Sequence, residues 1–262
     1  MDKDTKICIS IAEKPGTFGL EFHNLGYEEL ELNYDYIPLK VLPEQLEATM
    51  QLTRDNFHAC SVSMPHKVNV IDYLNKLESS AEKCGAVNTI LNKNRILIGY
   101  NTDYFGAKRA IEEVGNIHGK KVLMIGAGGV ARAIGHAVKD LGGDLVIANR
   151  TLKKAKSLAE ELDSNAVNWE QKNQEGAYLL INATRVGMDN PEERLVSEQL
   201  ISRFEAVMDV VVKPTRLIRE AEKQGKVTIP GLTMTTYQAA KQFEIYTGKQ
   251  VPKNVIEKVL GK

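Results

Sequence analysis

Hydrophobic and polar positions follow two rhythms along this chain. Up to about residue 100, short runs rich in β-formers (residues 6–11, 33–39 and 58–63) read as strands. Pro43-Glu44-Gln45-Leu46-Glu47-Ala48 opens an amphipathic helix, with proline near the first turn, where its missing N–H costs little. Residues 86–91 and 95–100, on either side of Asn92-Lys93-Asn94, predict a β-hairpin, because Asn tolerates the positive φ of tight turns. From Asp103 the units lengthen and helix alternates with strand. Lys121–Ile125 is almost uninterrupted apolar sequence, as expected of a strand covered by helices on both faces. A helix over 130–141, a strand over Asp144–Ala148 and strands over 177–181, 206–211 and 226–229 follow. Residues 233–246 read as a long helix and 252–260 as a terminal one. The pattern predicts an α/β protein with a domain boundary near residue 103, the second part built on a parallel sheet wound on both faces.

Length and charge narrow the function classes. A chain of 262 residues suits one large or two ordinary domains with a real core. Its 34 basic and 34 acidic residues cancel, which removes the electrostatic reason to expect nucleic acid or an anionic membrane as partner. No run approaches the roughly 18 apolar residues of a membrane span. The apolar stretch after Met1-Asp2-Lys3-Asp4-Thr5 is too short for a signal peptide, so a cytoplasmic protein is expected. Cys8, Cys60 and Cys84 are widely spaced and the histidines show no HxxxH or HExxH pattern, so no disulfide framework or structural metal is expected.

Gly126-Ala127-Gly128-Gly129-Val130-Ala131 directly follows a predicted strand and opens a predicted helix. In this GxGxxA turn the first glycine permits the bend and the second lets backbone approach a pyrophosphate. The small Ala131 allows close helix–strand packing. The exposed N–H groups of the helix start then hold phosphates. A purely steric glycine turn is the bland alternative, but the strand, turn, helix and next strand are all in place. The end of that next strand separates NADP from NAD. An acidic residue would serve the ribose hydroxyls of NAD and repel a 2′-phosphate. Asn149-Arg150-Thr151-Leu152-Lys153-Lys154 stands there instead, so Arg150 and Lys154 can pair with a 2′-phosphate, and Thr151 can donate to it or cap the next helix. The cofactor expected is NADP.

Three further segments carry chemistry: Ser61-Val62-Ser63-Met64-Pro65-His66-Lys67, Ala86-Val87-Asn88-Thr89 and Asn101-Thr102-Asp103. Taken singly, Lys67 reads as a solvated lysine and Asp103 as a helix cap. Taken in order with the glycine turn, Asn182-Ala183-Thr184, Gly187-Met188, Gln238-Ala239-Ala240 and Phe243, they resemble the shikimate dehydrogenase family, and within it the divergent shikimate dehydrogenase-like branch. The resemblance implies two domains with the active site in the cleft between them. Residues 1–102 plus 238–262 would be the substrate-binding domain and 103–237 a Rossmann-type NADP-binding domain.

It also implies NADP-dependent interconversion of shikimate and 3-dehydroshikimate, a step of the chorismate pathway of aromatic amino acid biosynthesis. By motif position Lys67 and Asp103 are the catalytic pair. An ordinary lysine, with a pKa of about 10.4, is a poor base near neutrality. Burial would lower that value while a carboxylate would raise it, so how the two share the proton stays open. Thr17, Ser63, Asn88 and Gln238 fall where substrate is held, and Thr184, Val186, Gly231 and Met234 near the cofactor. The expected partner is a small ring hydroxy acid, and the expected state a monomer or homodimer.

The chain departs from the family at recognition positions. A Ser-x-Ser-Pro stretch ordinarily precedes the His-Asn pair; counting back from His23-Asn24 puts Thr17 and Gly19 at the two serines. One charge-assisted hydrogen bond fewer to a carboxylate costs about 1.5–3 kcal/mol, roughly ten- to hundredfold in affinity, unless Lys14 compensates. The usual Tyr-x-Pro reads Val212-Lys213-Pro214, and an Asn often found before Val-Thr-x-Pro is Ser61. These changes keep two alternatives in view: a dehydrogenase for quinate or another polyhydroxylated ring acid, and a non-catalytic NADP(H)-binding regulator.

Overall fold

The computed structural model describes residues 2–174 and 176–261. The chain folds into two compact units, Met1–Thr102 with Gln238–Lys262, and Asp103–Tyr237.

In chain order the elements are β1 (Lys6–Ala12), α1 (Phe18–Glu29), β2 (Tyr34–Lys40), α2 (Leu46–Asn56), β3 (Ala59–Val62), β4 (Lys76–Leu77), α3 (Ser79–Cys84), β5 (Thr89–Lys93) and β6 (Ile96–Tyr100). Their sheet runs β2-β1-β3-β5-β6-β4. It is mixed, with β1 parallel to β2 and β3, and β5 antiparallel to β3 and β6. Successive side chains of a strand face opposite sides. Accordingly Ile9, Ile11, Cys60, Val62 and Ile90 enter one core with Met50 and Leu97. Cys8, Ala59 and Leu91 enter another with Phe22, Tyr27, Tyr36, Phe243 and Tyr246.

The hairpin forms, but its turn is Asn94-Arg95, both at positive φ, with Lys93 paired to Ile96. The expected turn lay over 92–94. Asn92 stays in the strand because its amide donates to the carbonyls of Thr53, Arg54 and Phe57 at 2.9–3.0 Å, closing the end of α2, whose last carbonyls lack partners within the helix.

The second unit follows α4 (Thr102–Glu112) with β7 (Lys121–Ile125), α5 (Gly129–Asp140), β8 (Asp144–Ala148), α6 (Leu152–Glu161), β9 (Asn165–Val167), β10 (Ala177–Asn182), α7 (Glu198–Ile201), β11 (Phe204–Asp209), α8 (Arg216–Lys223) and β12 (Val227–Ile229). The chain then returns to the first unit through α9 (Gly231–Thr247) and ends with α10 (Lys253–Leu260). The second sheet is parallel throughout, in the order β12-β11-β10-β7-β8-β9. Counted from β7 this is the 3-2-1-4-5-6 order of a doubly wound dinucleotide fold, with its switch point between β7 and β10. The edge strands β4 and β9, two and three residues long, are too short to leave a periodic signal and were not expected.

Candidate active site

The glycine turn sits at the switch point of the second sheet. Gly126 has φ +125°, and a Cβ there would lie 2.6 Å from the Ala183 carbonyl oxygen, so only glycine fits. The turn is clipped on both sides, Gly126 N–H to Ala148 O and Ala183 N–H to Ile125 O, each at 2.8 Å. Gly128 and Gly129 are different: a Cβ on either would meet nothing within 4 Å. Both are exposed, with Ala127 and Val130 half-buried beside them and Ala131 buried beneath. The space lies at the start of α5, whose first N–H groups have no partner within the helix. A dinucleotide pyrophosphate fits this open cradle of backbone donors.

The carboxyl end of β10 is held rigid next to it. Asn182 Oδ1 accepts from Thr184 N–H at 3.0 Å and Thr184 Oγ1 at 2.7 Å, and Nδ2 donates to Val186 O at 3.2 Å. Nδ2 also donates to Asp209 Oδ1 at 2.9 Å. Asp209, fully buried, further accepts from Val211 N–H at 2.9 Å and Thr215 Oγ1 at 2.6 Å. Burial pushes its carboxyl up to about 6, against the pull of those donors. Sequence reading passed over Asp209, which looks like an ordinary strand end. Gly231 owes its identity to close packing, since a Cβ would lie 2.4 Å from Val211 O; Met234 is buried.

Past β8, Arg150, Thr151 and Lys154 are exposed. Asn149 Nδ2 bonds Thr151 O at 3.0 Å and shapes the bend. Thr151 occupies the N-cap position of α6, but its hydroxyl makes no capping bond. Of the two roles open to that hydroxyl, the cap is not used.

In the first unit the loop after β3 presents Ser63, exposed, and Lys67, half-buried. Ser63 N–H bonds Ile11 O at 2.9 Å, and the buried His66 reaches Val41 O at 2.8 Å through Nε2. The Lys67 carbonyl accepts from Val87 N–H at 2.7 Å, which sets the lysine beside the segment carrying Asn88. Asn88 is buried, and its Oδ1 accepts from Thr102 N–H at 2.7 Å, Thr89 Oγ1 at 2.8 Å and Thr102 Oγ1 at 3.1 Å. Asp103 is therefore not the cap of α4; it lies within the first turn, 7% exposed, and Asn88 meets the first helical N–H instead. Asn88 Nδ2 donates to Gln238 Oε1 at 3.3 Å, joining two of the expected substrate residues.

Thr17 precedes α1, exposed, with no capping bond from its hydroxyl. The loss of serine at Gly19 has a physical correlate: a Cβ there would stand 2.9 Å from the Tyr36 hydroxyl. Ser61 lies inside the unit, with Oγ 3.1 Å from Gln242 Oε1 and 3.0 Å from the Tyr246 hydroxyl. Val212 is exposed. Gln242, 4% exposed, was missed, because a glutamine four residues after Gln238 reads as an ordinary helix-surface residue.

The strand order, the glycine cradle at the switch point and the cationic bend after β8 define the second unit as a Rossmann-type dinucleotide-binding unit. Residues 18–90 match the shikimate dehydrogenase substrate binding domain, 108–184 the shikimate / quinate 5-dehydrogenase family and 231–260 the shikimate 5′-dehydrogenase C-terminal domain. A shikimate dehydrogenase (NADP(+)) of Methanobrevibacter smithii is 38% identical, the match covering 94% of this chain and 92% of that protein. A solved shikimate 5-dehydrogenase-like protein superposes with a TM-score of 0.91 at 32% identity, covering 100% of this chain and 98% of its own. The Thermus thermophilus shikimate 5-dehydrogenase in complex with NADP(H) and shikimate gives a TM-score of 0.87 at 30% identity, covering 97% of both chains. This chain belongs to the shikimate dehydrogenase family. No helix among the described residues is long and apolar enough to cross a membrane.

Proposed function

We propose that this protein is an NADP-dependent shikimate dehydrogenase, interconverting shikimate and 3-dehydroshikimate. The observation that carries the reading is the open glycine cradle at the sheet's switch point, in a chain whose first unit joins Asn88 to Gln238. NADP, when bound, supplies the hydride acceptor for alcohol oxidation or the donor for the reverse. Gly126 to Ala131 hold its pyrophosphate on the start of α5, and Arg150, Thr151, Lys154 and Asn149 receive the 2′-phosphate. Thr184, Val186 and Gly231 would lie near the nicotinamide and adenine ends of the cofactor.

In the first unit Asn88 and Gln238 orient ring hydroxyls, while Thr17 and Ser63 offer hydroxyl donors to the substrate. As the ring hydroxyl becomes a carbonyl, Lys67 takes its proton, and in the reverse direction returns it to the carbonyl oxygen. Asp103 is the second member of the catalytic pair. The roles follow the units: Met1–Thr102 with Gln238–Lys262 binds substrate, and Asp103–Tyr237 binds NADP. A monomer or homodimer in the cytoplasm, where its free cysteines persist as thiols, completes the reading. Quinate dehydrogenase and non-catalytic regulator are not favoured, since the curated relatives are NADP-dependent shikimate dehydrogenases.

The test is NADPH formation by the purified protein with shikimate, quinate in parallel and NAD as second cofactor. NADP-selective turnover of shikimate is expected. Lys67→Ala should lower kcat by about 10²–10⁴, the usual contribution of a general acid–base, with NADP affinity within about twofold. Loss of NADP binding in that variant would remove the role assigned to Lys67.

A further inference from the structure

Gln242 has every hydrogen-bonding position of its side chain filled. Nε2 donates to the Asn88 carbonyl at 3.1 Å and to Thr89 Oγ1 at 2.9 Å. Oε1 accepts from Ser61 Oγ at 3.1 Å and from Gln238 Nε2 at 3.3 Å. A primary amide offers two donors and two lone pairs, so nothing is left over. The Ser61 hydroxyl is also within 3.0 Å of the Tyr246 hydroxyl, which closes the far end of the group. Gln238, Gln242 and Tyr246 recur at four-residue spacing and so share one face of α9, laid toward the ends of β3 and β5.

The direction of this chain of amides is not arbitrary. At one end a backbone N–H, which can only donate, meets Asn88 from Thr102, so the Asn88 atom facing it is the oxygen. At the other end a backbone carbonyl, which can only accept, meets Gln242, so the atom facing it is the nitrogen. Gln238 lies between the two. Its Oε1 faces Asn88 Nδ2 and its Nε2 faces Gln242 Oε1, each at 3.3 Å. Turning the Gln238 amide over would set nitrogen against nitrogen on one side and oxygen against oxygen on the other, losing both bonds. Amide orientation is ordinarily inferred from such networks, and here main-chain groups anchor both ends.

We propose that Gln242 is a positioning residue for shikimate: it sets the amide of half-buried Gln238 so that the remaining Nε2 hydrogen is presented to a substrate oxygen. The inference rests on the shikimate dehydrogenase reading and adds the reason Gln238 offers a donor in one orientation. It also gives Ser61 a task other than touching substrate, as the hydroxyl that satisfies the second lone pair of Gln242.

The experiment is a double-mutant cycle in the full-length protein with Gln242→Met and Gln238→Met, read as KM for shikimate, KM for NADP and kcat. Methionine keeps the length of glutamine and removes both polar atoms. Gln242→Met is expected to raise KM for shikimate roughly five- to tenfold, the worth of one hydrogen bond, with KM for NADP and kcat within about twofold. In the Gln238→Met background the same change should raise KM by less than about twofold, because the group it positions is already gone. Gln242→Leu, which also removes both polar atoms at a similar side-chain volume, is the variant to read if Gln242→Met does not fold. An additive cycle, an unchanged KM for shikimate, or equal rises in both KM values would overturn the proposal. Wild-type protein that binds NADP yet does not oxidise shikimate would instead remove the functional reading, and this inference with it.

Discussion

His23 lies in α1 inside an aromatic cage, its ring stacked on Tyr36 at 4.6 Å and on Phe243 at 6.1 Å. It is fully buried, with Gln242 the one polar side chain among the described residues that opposes the effect of burial on its ring. Burial holds its pKa down to about 3, against an ordinary value of 6.5. Between those two values the unfolded chain binds a proton that the folded one refuses, so stability falls as pH drops below about 6.5. Urea unfolding at pH 7.5 and 4.5 should show His23→Phe losing roughly 2–3 kcal/mol less than wild type over that span. Equal acid losses in the two proteins would mean that His23 does not set this limb. Gly19 belongs to the same scale. From sequence it was only a missing serine; the structure shows the Tyr36 hydroxyl standing 2.9 Å from where its Cβ would be, a contact between residues 17 positions apart. No local pattern reveals such a neighbour.

At the scale of elements, the strand–turn–helix around Gly126 was legible because each of its requirements is local: an apolar strand, a turn that needs positive φ, and a small residue one helical turn on. The structure separates the two glycines by cause. Gly126→Ala would force a Cβ against Ala183 O and is expected to lower stability by about 1–3 kcal/mol. Gly128→Ala meets open space, so its melting temperature should stay within a few degrees while its Kd for NADP rises at least tenfold. Thermal melts with and without NADP decide the matter; a Gly128→Ala protein that binds NADP normally would take the pyrophosphate out of this cradle. The hairpin shows the opposite limit. Its existence followed from alternation, whereas its turn moved to Asn94-Arg95 because Asn92 is committed to the end of α2, an interaction between separate elements.

For the whole molecule, each unit carries its own core. In the second unit, the chain's single tryptophan, Trp169, packs against the cluster of Leu123, Ile125, Leu180 and Val207. Its fluorescence in urea therefore reports that unit, and NADP at a hundred times its Kd should raise the unfolding free energy seen there by about 2.7 kcal/mol. A Trp169 midpoint that ignores NADP and responds to shikimate alone would reverse the assignment of ligands to units. What sequence alone determined is whatever depends on near neighbours: the α/β alternation, the parallel second sheet, and the strand–glycine turn–helix at its switch point. The ordered motifs carried the family as well. Tertiary structure alone decided how polar groups distant in sequence satisfy one another. Gln242 completes Ser61, Asn88 and Gln238; Asp209 ties β10 to β11; Asn88 meets the first N–H of α4 and leaves Asp103 within the helix. A buried amide or carboxylate must be paired wherever its partners come from, and those partners are chosen by folding rather than by spacing along the chain.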